Sequence, residues 1–151
     1  KWRKTPKELR ERCLEMDNSW VFDLETRIFS IVSSKVNRKL KEKYPNIFFT
    51  TTSSPKDIIT KFPTVYIHEM PGTESGITKE RDKINGISYA MQIEVTTNVS
   101  QKEAKTVLKE VAFAFKEMGF EINSFPEASN GTSYYRSIMR VKRNIGSKDV
   151  L

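Results

Sequence analysis

The chain has 151 residues, the length of one ordinary domain, and can build a hydrophobic core without disulfide bonds or metals. Aromatic residues make up 11% of it, which argues against a disordered chain, and the single cysteine, Cys13, excludes an internal disulfide. The net charge of +7 favours nucleic acid, an acidic surface or an acidic protein as a partner.

Residues 1–15 are predicted to form a basic arm with six lysine and arginine residues and three glutamates. Thr5, followed by Pro6 and then Glu8, is typical of a helix start, because proline fits the first helical position and glutamate favours the positive helix end. We expect a short helix to about Glu15. No apolar run has the length of a membrane helix and the start lacks the apolar core of a signal peptide, so we expect a soluble intracellular protein.

A longer helix is predicted next, with Asn18 or Ser19 as its cap and with its end before Pro45. Its apolar residues recur every three or four positions and form one continuous stripe. They are Val21, Leu24, Ile28, Ile31, Val32, Val36 and Leu40. The stripe indicates a helix that packs on a core.

Three strands are predicted in the middle of the chain, because these stretches are rich in β-branched and aromatic residues. They cover residues 46–53, 64–70 and 86–98. The third alternates apolar and polar side chains, which is typical of a strand buried on one side. A turn containing Ile58 and Ile59 separates the first two strands. Residues 71–86 form a long polar connection, for which a solvated loop and a partner contact are both open.

A second long helix is predicted between a capping box formed by Ser100 and Glu103 and a terminating glycine, Gly119. Two further strands follow, over residues 120–125 and 134–146. The spacing of apolar residues in the helix indicates that it packs on a sheet.

The order of these elements indicates an α+β fold. We expect a mainly antiparallel sheet of four to five strands with two main helices packed on it, plus a short N-terminal helical arm. The single domain is predicted to cover residues 16–143, and residues 144–151 are predicted to form a polar C-terminal tail.

Residues suited to catalysis are scarce. His68 is the only histidine, and its position in the middle of a strand favours a structural role. No zinc site, glycine-rich phosphate loop or nucleophile elbow is visible in the sequence. We therefore expect neither an enzyme nor a bound cofactor or metal.

The last predicted strand is unusual, because one of its faces carries Arg136, Arg140 and Lys142 around Ile138. Three interpretations are open for this basic face. It could be solvated, with the arginines paired to glutamates on neighbouring strands. It could instead be a protein interface, or it could contact nucleic acid.

Each interpretation involves other named residues. Glu94 and Glu69 are the glutamates that could pair with the arginines. Tyr134 and Tyr135 stand next to the cations, and aromatics beside cations can stack bases while the cations bind phosphates.

Five stretches occur in an informative order. An amphipathic helix opens at Met16 and is followed by "FPTVYIHE", "ISYAMQIEVTTN", "SQKEAKTVLKEVAFAFKEMGF" and "YYRSIMRVKR". Over residues 16–143 this order resembles the tail-terminator or tail-completion proteins of long-tailed bacteriophages. In that family, a strand with "FP" and a valine, another strand, a helix ending in Gly-Phe and a closing strand with Tyr-Arg follow one another.

The resemblance implies a structural protein of the virion, located at the head-proximal end of the tail and assembled in the host cytoplasm. It implies a homo-oligomeric ring, usually of six subunits, that caps the tail tube, stops its polymerisation and joins it to the head-side connector. The partners would be copies of the chain, the tail-tube protein and the connector protein, with DNA passing through the channel as cargo. Such a protein does no chemistry and contacts no membrane.

We hypothesise that Arg136, Arg140 and Lys142 face an acidic partner subunit, because complementary charges orient assembling subunits. By position, the connection over residues 71–86 would reach toward the tube or the connector. The full predicted interface comprises Arg136, Arg140, Lys142 and Arg143 from the last strand, and Thr73, Lys79, Arg81 and Lys83 from the connection. The alternative function is a small basic nucleic-acid-binding module that uses the last strand and the N-terminal arm.

Overall fold

The computed structural model describes residues 3–52, 61–77 and 82–151, and in residues 13–17 the backbone alone. Three helices and five strands lie in these residues. In chain order they are α1 Pro6–Phe22, α2 Leu24–Leu40, β1 Phe48–Thr50, β2 Thr64–Ser75, β3 Gly86–Thr97, α3 Gln101–Glu117, β4 Glu121–Ala128 and β5 Tyr135–Gly146. The predicted α+β class is confirmed. The predicted turn around Ile58 and Ile59 and the side chain of Cys13 lie outside the described part.

The first helix is longer than predicted. Thr5 caps it through a hydrogen bond from the Glu8 backbone N–H, and Pro6 occupies its first turn, as the sequence indicates. The helix does not end near Glu15 but runs on to Phe22, so the predicted cap at Asn18 or Ser19 is wrong and the proposed domain boundary at residue 16 falls inside α1. Asn18 is used differently: its side chain bonds to the backbone of residues 82 and 84.

The second helix begins after Asp23 and packs along the core. Its five buried residues lie four positions apart, which keeps them on one side of the helix. They are Leu24, Ile28, Val32, Val36 and Leu40, all of them members of the predicted stripe.

The sheet is mixed, with strand order β1-β2-β3-β5-β4. The pairs β2–β3, β3–β5 and β4–β5 are antiparallel, whereas the short edge strand β1 runs parallel to β2, with Phe48 opposite Thr64. The expectation of a mainly antiparallel sheet therefore holds for three of the four strand pairs. A single hydrophobic core includes residues of α2, α3 and the odd-numbered positions of β3.

The predicted loop over residues 71–86 is partly strand. β2 continues to Ser75 and β3 starts at Gly86, so the connection between them covers residues 76–85. Pro71 is tolerated because β1 pairs β2 only as far as Tyr66, which leaves this part of β2 at an edge. A bulge lies between Met70 and Thr73, where a side chain at Gly72 would come within 2.6 Å of the Ser88 carbonyl oxygen.

The third helix matches its prediction closely. The Ser100 side chain accepts a hydrogen bond from the Glu103 N–H, and Gly119 ends the helix region with φ +81°, a conformation that favours glycine. The capping box is only half formed, because the Glu103 carboxylate accepts from the Thr97 hydroxyl. Buried Phe115 packs edge-on against Phe120 with ring centroids 5.2 Å apart.

The segment predicted as a polar tail is partly core. β5 runs to Gly146, and Ile145 is only 2% exposed. Asp149 accepts a hydrogen bond from the Gly146 N–H, and Leu151 packs against the core. Among the described residues, no helix combines the length and apolar character needed to cross a membrane.

Candidate functional site

The last strand, β5, separates its basic residues onto two faces. Ser137, Met139 and Val141 point into the core, so Arg143 shares that side of the strand, whereas Arg136, Arg140 and Lys142 stand on the other. β5 lies between β3 and β4, away from the sheet edges. The predicted basic face is therefore part of a sheet surface, and three of the four cations of β5 share it.

The same surface extends across the neighbouring strands. Glu94 lies opposite Tyr66 and Ile138, Gln92 lies opposite His68 and Arg140, and Ala90 lies opposite Met70 and Lys142. Helices α2 and α3 pack on the opposite side of the sheet. On the other side of β5, Glu121 lies opposite Lys142, Ser124 opposite Arg140 and Glu127 opposite Ile138. We call this surface the open face; it includes Tyr66, His68, Met70, Thr73, Ser88, Ala90, Gln92, Glu94, Glu121, Ser124, Glu127, Arg136, Ile138, Arg140 and Lys142.

Arg136 is held inside the open face. Its Nη1 forms an ion pair with Glu94 Oε1 at 3.5 Å, and its Nη2 donates to the Tyr134 hydroxyl at 3.3 Å. The side chain is only 15% exposed, and its buried Nε has no hydrogen-bond partner among the described residues. The predicted pairing with Glu94 is thus confirmed for this arginine, and the pair leaves little of Arg136 available to another molecule.

Arg140 and Lys142 are the accessible cations of the open face. Arg140 is exposed, and its Nε donates to Gln92 Oε1 at 2.9 Å. Gln92 in turn donates to Glu94 at 3.4 Å, so a chain of polar contacts joins the two arginines. Lys142 is exposed, and its ammonium makes no hydrogen bond or ion pair within the described part of the chain.

Arg143 has a structural role on the core side. Its Nη1 donates to the Met118 carbonyl oxygen at 2.6 Å, and its Nη2 lies 3.6 Å from the Asp149 carboxylate. The side chain is 18% exposed. Arg143 therefore joins the end of α3 to the residues after β5, and the structure does not bring it to the other predicted interface cations.

Glu69 also differs from its predicted role as a partner for the arginines. It accepts a hydrogen bond at 2.8 Å from the hydroxyl of Tyr89, which is buried on the core side of β3. Burial, this hydrogen bond and the charges of Glu69 and Glu25 raise the pKa of Tyr89 above its ordinary value of 10.0. Glu69 thus lies on the opposite side of the sheet from Arg136 and Arg140.

The predicted residues of the connection are spread out. The bulge shifts the register so that Thr73 lies opposite Ser88, which brings it onto the open face. Lys83 is exposed in the connection. Next to it, Asp82 forms an ion pair with Arg10 at 3.2 Å, which attaches α1 to the hairpin. Lys79 and Arg81 lie outside the described residues.

Two features of the open face were missed by sequence reasoning. Gln92 links the arginine network, and the rings of Tyr66 and His68 stack with centroids 4.5 Å apart. Burial first, and then the Glu94 and Glu25 charges, raise the pKa of Tyr66. The sequence spacing of Tyr66 and His68 could have indicated that they are neighbours on one face, because residues two apart in a strand share a face.

The open face offers binding chemistry. Among the described residues, no three histidine, cysteine, aspartate or glutamate side chains are grouped to hold a metal ion. Cations, amides and two stacked rings can bind a protein surface or an anion.

No family model matches the chain, and a search of the curated proteins finds no match.

Proposed function

We propose that the protein is a virion structural protein, a phage tail terminator that forms a ring, caps the tail tube and joins it to the head-side connector. The proposal rests on the resemblance over residues 16–143. It is supported by the order in which β2, β3, α3 and β5 follow one another. In this role the protein does no chemistry, and DNA passes through the channel as cargo.

The structural observation that best supports the proposal is the open face. This surface is formed by long strands, since β2, β3 and β5 have 12 residues each. Its charged and amide groups are joined by hydrogen bonds across β3 and β5, which fixes their positions before a partner arrives. A polar surface of this kind remains soluble in the free subunit and still orients a partner by charge.

Within this surface, Arg140 and Lys142 are the groups that would contact an acidic partner subunit. Arg136 would act on them indirectly, because its ion pair with Glu94 anchors the Gln92 that holds Arg140. The hairpin formed by β2 and β3 would reach toward the tube or the connector, with Thr73 on the same side as Lys142.

The test is charge reversal at one position. Arg140→Glu should abolish joining of the ring to its neighbour, whereas Lys148→Glu, an equal charge change at an exposed lysine elsewhere, should leave joining intact. Rings can be counted by electron microscopy, and mass can be determined before and after tail-tube subunits are added. A wild-type protein that stays monomeric and never binds tubes would refute the proposal.

A second function has one observation in its favour. The open face combines two accessible cations with the stacked rings of Tyr66 and His68, and cations beside aromatic rings can bind single-stranded nucleic acid. A nucleic-acid-binding module would bind random DNA with an affinity that falls steeply as salt rises. Fluorescence anisotropy with single-stranded and duplex oligonucleotides distinguishes this function from the ring.

A further inference from the structure

Helix α3 carries opposite charges on two different flanks. Its three glutamates, Glu103, Glu110 and Glu117, recur every seven residues and share one flank. Two of them pair with α2: Glu117 lies 2.9 Å from the Lys35 ammonium and Glu110 lies 3.7 Å from that of Lys39. The glutamate flank of α3 is therefore the one that faces α2.

The other flank of α3 is basic and has no partner within the described residues. Four exposed lysines fall within an arc of about 60° of the helix surface. They are Lys102, Lys105, Lys109 and Lys116, which we call the lysine flank. Like charges three or four residues apart destabilise a helix slightly, and an anionic surface that covered the lysines would remove this repulsion. Phe113, beside the lysines, is 50% exposed.

The position of the lysine flank in the subunit follows from the sheet order. Helix α2 contacts β2, whereas α3 contacts β3, β5 and the edge strand β4. Because the glutamate flank faces α2, the lysine flank faces the β4 edge of the sheet. Phe125 on β4 is 74% exposed and adds an apolar side chain to the same edge.

An acidic group lies at the opposite edge of the subunit. Asp23 is exposed where α1 meets α2, Glu25 follows in the first turn of α2, and Glu69 is exposed on β2. Glu69 bonds to the Tyr89 hydroxyl on the core side of the sheet, and α2, which carries Glu25, packs on that side and contacts β2, so both carboxylates belong to the β2 side of the subunit. We call Asp23, Glu25 and Glu69 the acidic corner. None of the three forms an ion pair with a described residue, and Phe22 beside them is 78% exposed.

We propose that the lysine flank of one copy docks on the acidic corner of the next copy, with Phe113 and Phe22 as the apolar residues of the contact. The inference rests on the proposed ring, and it names the surfaces that would join its subunits. Two different surfaces at opposite edges of one molecule make a head-to-tail contact, and such contacts close into rings when the rotation fits. The open face then remains available for the tube or the connector.

The experiment uses two charge-reversed variants of the full chain. Lys105→Glu with Lys109→Glu reverses the lysine flank, and Asp23→Lys with Glu25→Lys reverses the acidic corner. Each variant alone should show association weakened about a hundredfold or more, because like charges would then face each other. An equal mixture of the two should form rings again, since each altered surface meets its complement and each unaltered surface meets an unaltered one. Lys41→Glu with Lys148→Glu is the matched control and should form rings normally.

A variant that fails to fold does not obscure the result. The chain with all four substitutions carries both reversed surfaces, so it should form rings by itself, and circular dichroism checks the fold of each sample. Rings formed by either variant alone, or a mixture that stays monomeric, would overturn the inference while leaving the proposed ring standing. A wild-type chain that never forms rings would overturn both. If Lys105→Glu with Lys109→Glu abolished DNA binding and left ring formation intact, the lysine flank would be a nucleic-acid-binding surface and the docking proposal would be overturned.

Discussion

At the scale of single residues, Arg143 and its neighbour Lys142 show how one strand gives adjacent cations different roles. The Arg143 guanidinium donates to the carbonyl of Met118, the C-cap residue of α3, and forms an ion pair with Asp149, whereas Lys142 projects from the open face. Removing a charged donor from a buried carbonyl leaves that carbonyl unpaired. The two residues therefore separate a structural effect from a binding effect.

We predict that Arg143→Ala lowers the free energy of unfolding by about 1.5–3 kcal/mol. Lys142→Ala should change it by no more than about 0.5 kcal/mol, since this residue is exposed and makes no described contact. Urea denaturation of the three proteins measures both values. Equal effects of the two substitutions would contradict the assigned roles.

The period of two in a strand was enough to separate these residues from sequence. Arg136, Arg140 and Lys142 are an even number of positions apart, and Arg143 is not. The hydrogen-bond partner of Arg143 was not predictable, because the Met118 carbonyl comes within reach only when α3 packs on β5. An ion pair between Arg136 and Glu94 was one possible cross-strand contact from the sequence. Which arginine pairs with Glu94 could be decided only once the register of β3 and β5 was known.

At the scale of elements, α2 and α3 are joined by a pH-sensitive ion pair. The hydrogen bond from Lys35, and then its charge, lowers the pKa of Glu117 below the ordinary 4.5. A carboxyl group whose pKa is lower in the folded than in the unfolded state stabilises the fold at every pH above its unfolded-state pKa. This contribution is lost as the pH falls through the folded-state pKa. The stabilisation by the Lys35–Glu117 pair is therefore lost only at acid pH.

We predict that Glu117→Gln unfolds at a lower temperature than the wild type at neutral pH and that the two melting curves converge in acid. Thermal unfolding between about pH 2 and pH 7 measures this convergence. Glu42→Gln, at an exposed glutamate after α2 that forms no ion pair with a described residue, serves as the control and should melt close to the wild type at neutral pH. A constant offset for Glu117→Gln would refute the role of the pair.

The elements best predicted from sequence are those with strong local signals. β3 alternates polar and apolar residues, and α3 has the Ser100 cap at one end and Gly119 at the other. The predicted boundary between α1 and α2 was wrong because Asn18 is a residue type that often caps helices. In the structure its side chain hydrogen-bonds to the backbone of residues 82 and 84 instead. The extension of β2 past Pro71 was hidden because proline is a strand breaker except at an edge.

At the scale of the whole molecule, one core joins the helices to the sheet. Phe115 is fully buried and contacts Phe120, whereas Phe113 on the same helix is half exposed. The two phenylalanines lie two residues apart on α3. Deleting one ring or the other therefore compares the core with the surface at nearly the same point.

We predict that Phe115→Ala destabilises the entire domain by about 3–5 kcal/mol, the range for a buried ring. Phe113→Ala should cost much less in the isolated subunit. Circular dichroism in the far and near ultraviolet should report a single coincident transition for each protein, because the core is continuous. Two separate transitions would show that the helices and the sheet unfold independently.

The α+β class and the two-layer arrangement were predictable because they follow from hydrophobic periodicity and element order. The function of the surfaces was not, because exposed charges serve solvation, folding and assembly equally well until their neighbours are known. The lysine flank illustrates this limit: its meaning depends on which side of α3 meets α2, and that is set by tertiary packing.

The position of β3 between β2 and β5 affects the nascent chain. β2 precedes β3 directly and can pair with it early, but β5 is translated only after α3 and β4. A ribosome makes about 5–20 residues each second, so one side of β3 waits several seconds with its backbone groups unpaired. Such an unpaired side can recruit strands from other chains. Protection of β3 during that interval, by a chaperone or by rapid translation, would therefore govern how much correctly folded protein a cell obtains.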